Sequence, residues 1–266
     1  MMVTVGPTLD SPEDLRLAIE AGARWFRLPC GCRQWPQLQN GRAVREAALQ
    51  QGIPVRLLLD VPAFGEDADL LEAFAAEKLT PDWVALGSVS SPEEVRAGRR
   101  EVRRRLGRSV RIMARFETVA AVECAEDILN AADGIMVARG ALGLAAGYIR
   151  LPEVQERLVK AARRAHRPVV VATHVLEMFA ETGLPQRAEL SDLSLLARQR
   201  ANAVLVGKET VISPRPLECI RLAREVLAYE TQRFERLALA SRQRRTPAAN
   251  FAAVKLAGGQ AAAVGT

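Results

Sequence analysis

The chain has 266 residues, 49% hydrophobic and 26% charged, an ordinary globular balance with enough apolar surface for one large core. Its formal charge is +6, and no apolar run reaches the ~18 residues of a membrane-spanning helix. The first residues lack a basic segment followed by an apolar core, so a cytoplasmic protein with no membrane partner is expected.

Taken in chain order, short apolar runs with few charges alternate with stretches of helical periodicity. Met2–Val5 precedes Pro12–Ala21, Trp25–Leu28 precedes Gly41–Gln51, Val55–Leu59 precedes Ala68–Glu77, and Trp83–Leu86 precedes Pro92–Leu106. In the second half Arg111–Phe116 precedes Val119–Ala131, Gly134–Ala138 precedes Pro152–Ala165, Val169–Thr173 precedes Glu189–Arg200, and Ala203–Val206 precedes Pro216–Tyr229. Two helix starts are explicit. Ser11-Pro12-Glu13-Asp14 and Ser91-Pro92-Glu93-Glu94 place a hydroxyl at the N-cap, proline at the first helical position and acids in the first turn.

Strict alternation implies parallel strands joined by right-handed crossovers. Eight such units with near-continuously apolar strands predict an α/β fold, a single closed (β/α)8 TIM barrel over residues 1–245. After Arg245 the composition shifts to Ala, Gly and Val, which predicts a weakly ordered tail over 246–266.

Cys30, Cys32, Cys124 and Cys219 are too few for a disulfide scaffold, and Cys30-x-Cys32 has no second pair at zinc spacing, so reduced thiols are expected. Arg96, Arg99, Arg100, Arg103, Arg104, Arg105, Arg108 and Arg111 form a basic stripe. No aromatic residue is interleaved to stack a base, so the stripe reads as a solvated helix face and no nucleic-acid partner is expected.

Barrel enzymes carry their chemistry on loops after the strands' C-terminal ends. That rule selects Gly6-Pro7, Arg27, Asp60, Gly87-Ser88, Arg115 to Glu117, Arg139 to Gly143, Thr173-His174 and Lys208 to Thr210. His174 follows Thr173 directly, which would place it in the pocket. His166 ends a helix and needs no functional reading. Arg115 and Glu117 stand two apart on one strand and share a face.

Six motifs, TVGP at 4–7, ARWFRL at 23–28, DGIMVARG at 133–140, ATHVLEM at 172–178, RAELSD at 187–192 and KET at 208–210, resemble those of pyruvate kinases in order and approximate spacing, from Met2 to about Tyr229. The resemblance implies a barrel that holds phosphoenolpyruvate or pyruvate beside a divalent metal and a monovalent cation. It also implies that the family's lid, inserted after the third strand, and its C-terminal domain are absent here.

Residue by residue, the resemblance makes Arg27 a substrate-binding arginine suited to bidentate phosphate contact, in preference to one paired with a neighbouring carboxylate. Thr173 matches the threonine beside the enolate carbon, a catalytic position. Arg115 stands where the family has its catalytic lysine, and the exchange is not conservative. Glu117 matches one metal carboxylate, but its partner aspartate is replaced by Ala141, so Mg2+ is expected to bind weakly and a metal-free ion pair of Glu117 with Arg115 on the same face is expected instead. The backbone around Gly140 and Ala141 would still present N–H groups to an anionic substrate. Of the monovalent-cation ligands only Asp60 remains among Pro29, Gly31, Asp60 and Val61, and K+ is not expected.

Three functions follow: a phosphotransferase of pyruvate kinase type with weak or lost activity, a metal-assisted lyase or decarboxylase on a pyruvate-like substrate, or a non-catalytic binding or regulatory protein with an anion pocket. The expected partner is a small anionic carboxylate or phosphate, and a homo-oligomer stays open.

Overall fold

The computed structural model describes residues 1–31, 36–62 and 68–245, with side chains through residue 240. Its strands are β1 (Met2–Thr4), β2 (Trp25–Pro29), β3 (Arg56–Val61), β4 (Trp83–Leu86), β5 (Arg111–Phe116), β6 (Gly134–Ala138), β7 (Val169–Ala172) and β8 (Ala203–Val206). The helices are α1 (Pro12–Ala21), α2 (Gln37–Gln51), α3 (Ala68–Ala76), α4 (Pro92–Leu106), α5 (Val119–Glu123), α6 (Ala125–Ala131), α7 (Arg139–Ala146), α8 (Leu151–Arg164), α9 (Glu177–Thr182), α10 (Arg187–Gln199) and α11 (Pro216–Arg245). No helix among the described residues is long and apolar enough to cross a membrane.

The eight strands pair in sequence order, all in parallel, and β8 returns to β1 through Met2↔Leu205 and Val3↔Val206, so the sheet is a closed barrel. The pleat divides the core into two shells. On β3, Leu57 and Leu59 pack outward beneath the helices, whereas Leu58 joins Met2, Trp83, Met113, Met136 and Val170 inside the barrel. Gly98 lets α4 lie close on β4, because a Cβ there would stand 2.4 Å from Leu86 Cδ1.

Helix starts form as their sequences dictate. The hydroxyl of Ser11 accepts from the Asp14 N–H at 3.0 Å, and that of Ser91 from Glu94 at 3.3 Å. A second device fastens the strand starts. The Asp82 carboxylate accepts from the Leu57 N–H and from Arg45 on α2, and the Asp133 carboxylate repeats this with the Ile112 N–H and Arg99 on α4. Asn202 does the same for the Val169 N–H.

At this N-terminal end, Trp25 and Trp83 lie with ring centroids 5.4 Å apart, and the guanidiniums of Arg56 and Arg111 cover them at 4.8 and 5.5 Å. At the opposite end the seam between β8 and β1 is closed by buried Thr210, whose hydroxyl accepts from the Thr4 N–H and donates to the Thr4 carbonyl.

Several expectations need correction. The single helix over 119–131 is broken at Cys124: Arg157 of α8 donates to the Val122 carbonyl at 2.5 Å and takes an acceptor that a continuous helix would use. α2 starts four residues earlier than expected because Gln37 is buried and its amide donates to the Pro29 carbonyl at 2.6 Å. α7 and α9 are additional short helices. α11 runs to Arg245. The arginine stripe on α4 is only partly solvated, since Arg99 binds Asp133 and Arg105 reaches Glu72 on α3 and Glu101. The tail over 246–266 and the Cys32 thiol lie outside the described residues. Six residues, 62–67, connect β3 to α3, too few for a domain.

Candidate functional site

The inward faces of the strands end in charge at the mouth of the barrel. Arg27 on β2, Asp60 on β3 and Arg115 on β5 follow the apolar interior layer upward, and with Glu117, Thr4, Thr173 and Lys208 they line a cavity of about 330 Å³. Its remaining wall includes Met136, Ala138, Ala141, Ala172, Leu205 and Val211.

The charges form a chain. Arg27 Nε donates to Asp60 Oδ2 at 2.5 Å, Arg115 Nη1 donates to Asp60 Oδ1 at 2.5 Å, and Arg115 Nη2 donates to Glu117 Oε1 at 2.7 Å. The expected Arg115–Glu117 pair is thus present but belongs to a longer network. Asp60 is fully buried. Burial alone would push its carboxyl up; the Arg27 and Arg115 guanidiniums outweigh that and hold it below the usual carboxylate range. Burial works against the Arg115 charge as well, and Asp60 and Glu117 overcome it, so Arg115 stays protonated. Gly87 makes the crossing possible, since a Cβ at that position would lie 2.3 Å from the Pro62 carbonyl and 2.7 Å from Arg115 Nη2.

The loop after β7 is held in an unusual shape. Thr173 and His174 both have positive φ, 70° and 53°, a conformation costly for any side chain and most of all for a β-branched one. Three buried or half-buried ionic residues impose it. Glu209 accepts from the Val175, Leu176 and Gly207 N–H groups. Arg139, paired with Asp192 at 2.6 Å, donates to the Thr173 and His174 carbonyls. Glu189 accepts from Met178 and Phe179 at the start of α9.

Three expectations change here. The Gly140 N–H is not open to an anion, because it donates to Thr173 Oγ1 at 2.8 Å, and the Thr173 hydroxyl in turn donates to the Ala172 carbonyl at 2.6 Å. Arg27 lines the cavity but is paired with a carboxylate, the arrangement given second place from sequence. His174 is exposed and does not line the cavity. Arg139 and Glu209 are among the strand-end candidates that the sequence selects, whereas Asp192 and Glu189 stand out only as motif members; the loop-shaping contacts of all four depend on the fold.

Fold and mouth together define an α/β-barrel protein whose charged site sits at the C-terminal ends of the strands. A sequence model of the pyruvate kinase barrel domain matches residues 53–220. The chain is 34% identical over 154 residues to pyruvate kinase of Thermotoga maritima, covering 58% of this chain and 33% of that protein. It is 35% identical over 202 residues to pyruvate kinase of Methylorubrum extorquens (71% and 41%) and 37% identical over 170 residues to that of Mycobacterium tuberculosis (64% and 36%). This chain belongs to the pyruvate kinase family. Its matches span about a third to two-fifths of the length of these relatives.

The residues present do not fit the divalent metal that the family resemblance implies. Glu117 Oε1 is taken by Arg115 and Oε2 by the Ser88 N–H at 2.7 Å, while Ala141 supplies no oxygen. Among the described residues no cluster of three His, Cys, Asp or Glu side chains could hold a metal ion. A monovalent cation fares no better, because both Asp60 oxygens meet guanidiniums and the Pro29 carbonyl is bonded to Gln37.

Proposed function

We propose that this chain is a pyruvate kinase-like barrel protein that binds a small anionic carboxylate or phosphate at its mouth, with phosphotransfer from phosphoenolpyruvate to ADP weak or lost. The supporting observation is the position of Arg115, lodged between Asp60 and Glu117 at 2.5 and 2.7 Å. Phosphoryl transfer depends on cations free to neutralise charge that spreads over the moving group. Here the cation at the lysine position is neutralised by the chain's own carboxylates, and the metal carboxylate is neutralised by that same cation. A lyase or decarboxylase that needs a divalent metal meets the same obstacle. A short connection in place of a lid also leaves nucleotide and water unseparated above the site.

The test combines a coupled assay, supplied with phosphoenolpyruvate, ADP, Mg2+ and K+, with calorimetric titration of small carboxylates and phosphates. Saturable anion binding with turnover orders of magnitude below that of a full-length pyruvate kinase is expected. Turnover comparable to the full-length enzyme, or no anion binding, would overturn the reading.

A further inference from the structure

Three cations and two carboxylates among the described residues line the mouth cavity: Arg27, Arg115 and Lys208 against Asp60 and Glu117. Arg27 and Arg115 hold opposite oxygens of Asp60, and Arg115 holds Glu117 as well. Two guanidiniums against two carboxylates leave the floor polar and without net charge. Lys208 stands apart from this network. Its ammonium lies 3.8 Å from Glu181, beyond hydrogen-bond range, and the two side chains are 52% and 62% exposed. A pair of that kind is weak and exchanges readily for a better partner. Glu181 does not line the cavity, whereas Lys208 does.

We propose that Lys208 is the specificity-determining residue of this cavity, the cation that anchors its ligand, and that the neutral floor makes the cavity favour a singly charged anion over a multiply charged phosphate ester. The inference rests on the anion-site reading above and goes on to name which charge carries it. A monocarboxylate is matched by one ammonium. A dianion or trianion brings excess negative charge beside Asp60 and Glu117. Recruiting Arg27 or Arg115 to compensate would strip one of the two guanidiniums from Asp60, whose side chain is 0% exposed, and a buried carboxylate oxygen left without its partner is unfavourable.

Arg27 still offers a donor without offering net charge, because its Nη2 makes no hydrogen bond among the described residues. The ligand chemistry that fits is a small monocarboxylate bearing a second acceptor oxygen, its carbon skeleton against Met136, Leu205 and Val211.

The test is calorimetric titration at low ionic strength of the wild-type chain and Lys208→Gln, which keeps a donor and removes the charge. Pyruvate and lactate serve as singly charged probes, phosphoenolpyruvate and inorganic phosphate as multiply charged ones. The wild type should bind pyruvate more tightly than phosphoenolpyruvate. Lys208→Gln should weaken pyruvate binding roughly tenfold to a hundredfold, with an unchanged melting temperature because the side chain is half exposed. Unchanged pyruvate affinity in Lys208→Gln, or tighter binding of phosphoenolpyruvate by the wild type, overturns the inference and leaves the anion site standing. Failure of all four anions to bind overturns both.

Discussion

Asp60 is the residue on which the mouth depends, since two guanidiniums that would otherwise repel meet only through its carboxylate. Its carboxyl is held below the usual value of ~4, so its contribution to stability is complete above that pH and is lost as pH falls through the folded-state value. Urea midpoints measured at pH 7 and pH 3 should therefore fall less in Asp60→Asn than in wild type, even though the variant starts out less stable. An equal acid loss in both would show that the pairing does not persist in solution. Arg115→Met should cost about 3 kcal/mol at pH 7, because it takes the guanidinium from Asp60 Oδ1 and Glu117 Oε1 and leaves Asp60 to Arg27 alone; chemical denaturation measures it. Metal affinity gives a third check. Arg115→Lys removes the guanidinium that holds Glu117 Oε1 and Ala141→Asp restores a ligand, so the double variant should bind Mn2+ more tightly than the two single changes would predict by addition. Tight Mn2+ binding by the unaltered chain would contradict the network.

At the level of elements, the loop between β7 and α9 shows how a strained conformation is kept. Its two successive left-handed residues, Thr173 and His174, survive because Glu209 and Arg139 bond the backbone on both sides. Glu209→Gln replaces one acceptor oxygen with a donor facing buried N–H groups, which should cost about 1–3 kcal/mol and speed amide exchange at Val175 and Leu176. Unaltered exchange there would mean that the loop holds its shape by other contacts. The eight strands were legible in the sequence because each is a short apolar run cut off by charge or glycine, and period and burial agree in such runs. α7 was not legible: Arg139-Gly140-Ala141-Leu142-Gly143 has two glycines and no apolar stripe, and it becomes helical because Arg139 is anchored by Asp192 from α10. The site was half legible for a similar reason. Residue types at the mouth could be read position by position, but which arginine meets which carboxylate depends on contacts 33 and 55 residues apart in sequence, between Arg27, Asp60 and Arg115.

For the molecule as a whole, closure is complete within the described residues: β8 pairs with β1, and α11 covers the outside of that seam with Cys219, Ile220 and Ala223 buried. A chain ending at Arg245 should accordingly melt within about 2 °C of the full chain, as expected when the removed segment adds little to the core. A larger drop would reveal packing of residues 246–266 on the barrel or on a second copy. The stacked tryptophans at the N-terminal end have an optical consequence. Trp25 and Trp83 sit beneath the apolar interior layer while the mouth cavity opens above it, and the remaining tryptophan, Trp35, lies in sequence between β2 and α2. With Trp35→Phe the chain's emission would come only from the closed end of the barrel, shielded by Arg56 and Arg111. Fluorescence would then follow unfolding and stay silent to an anion arriving at the mouth, so any signal on ligand addition would measure how far a charge placed at one end of the barrel disturbs the packing at the other.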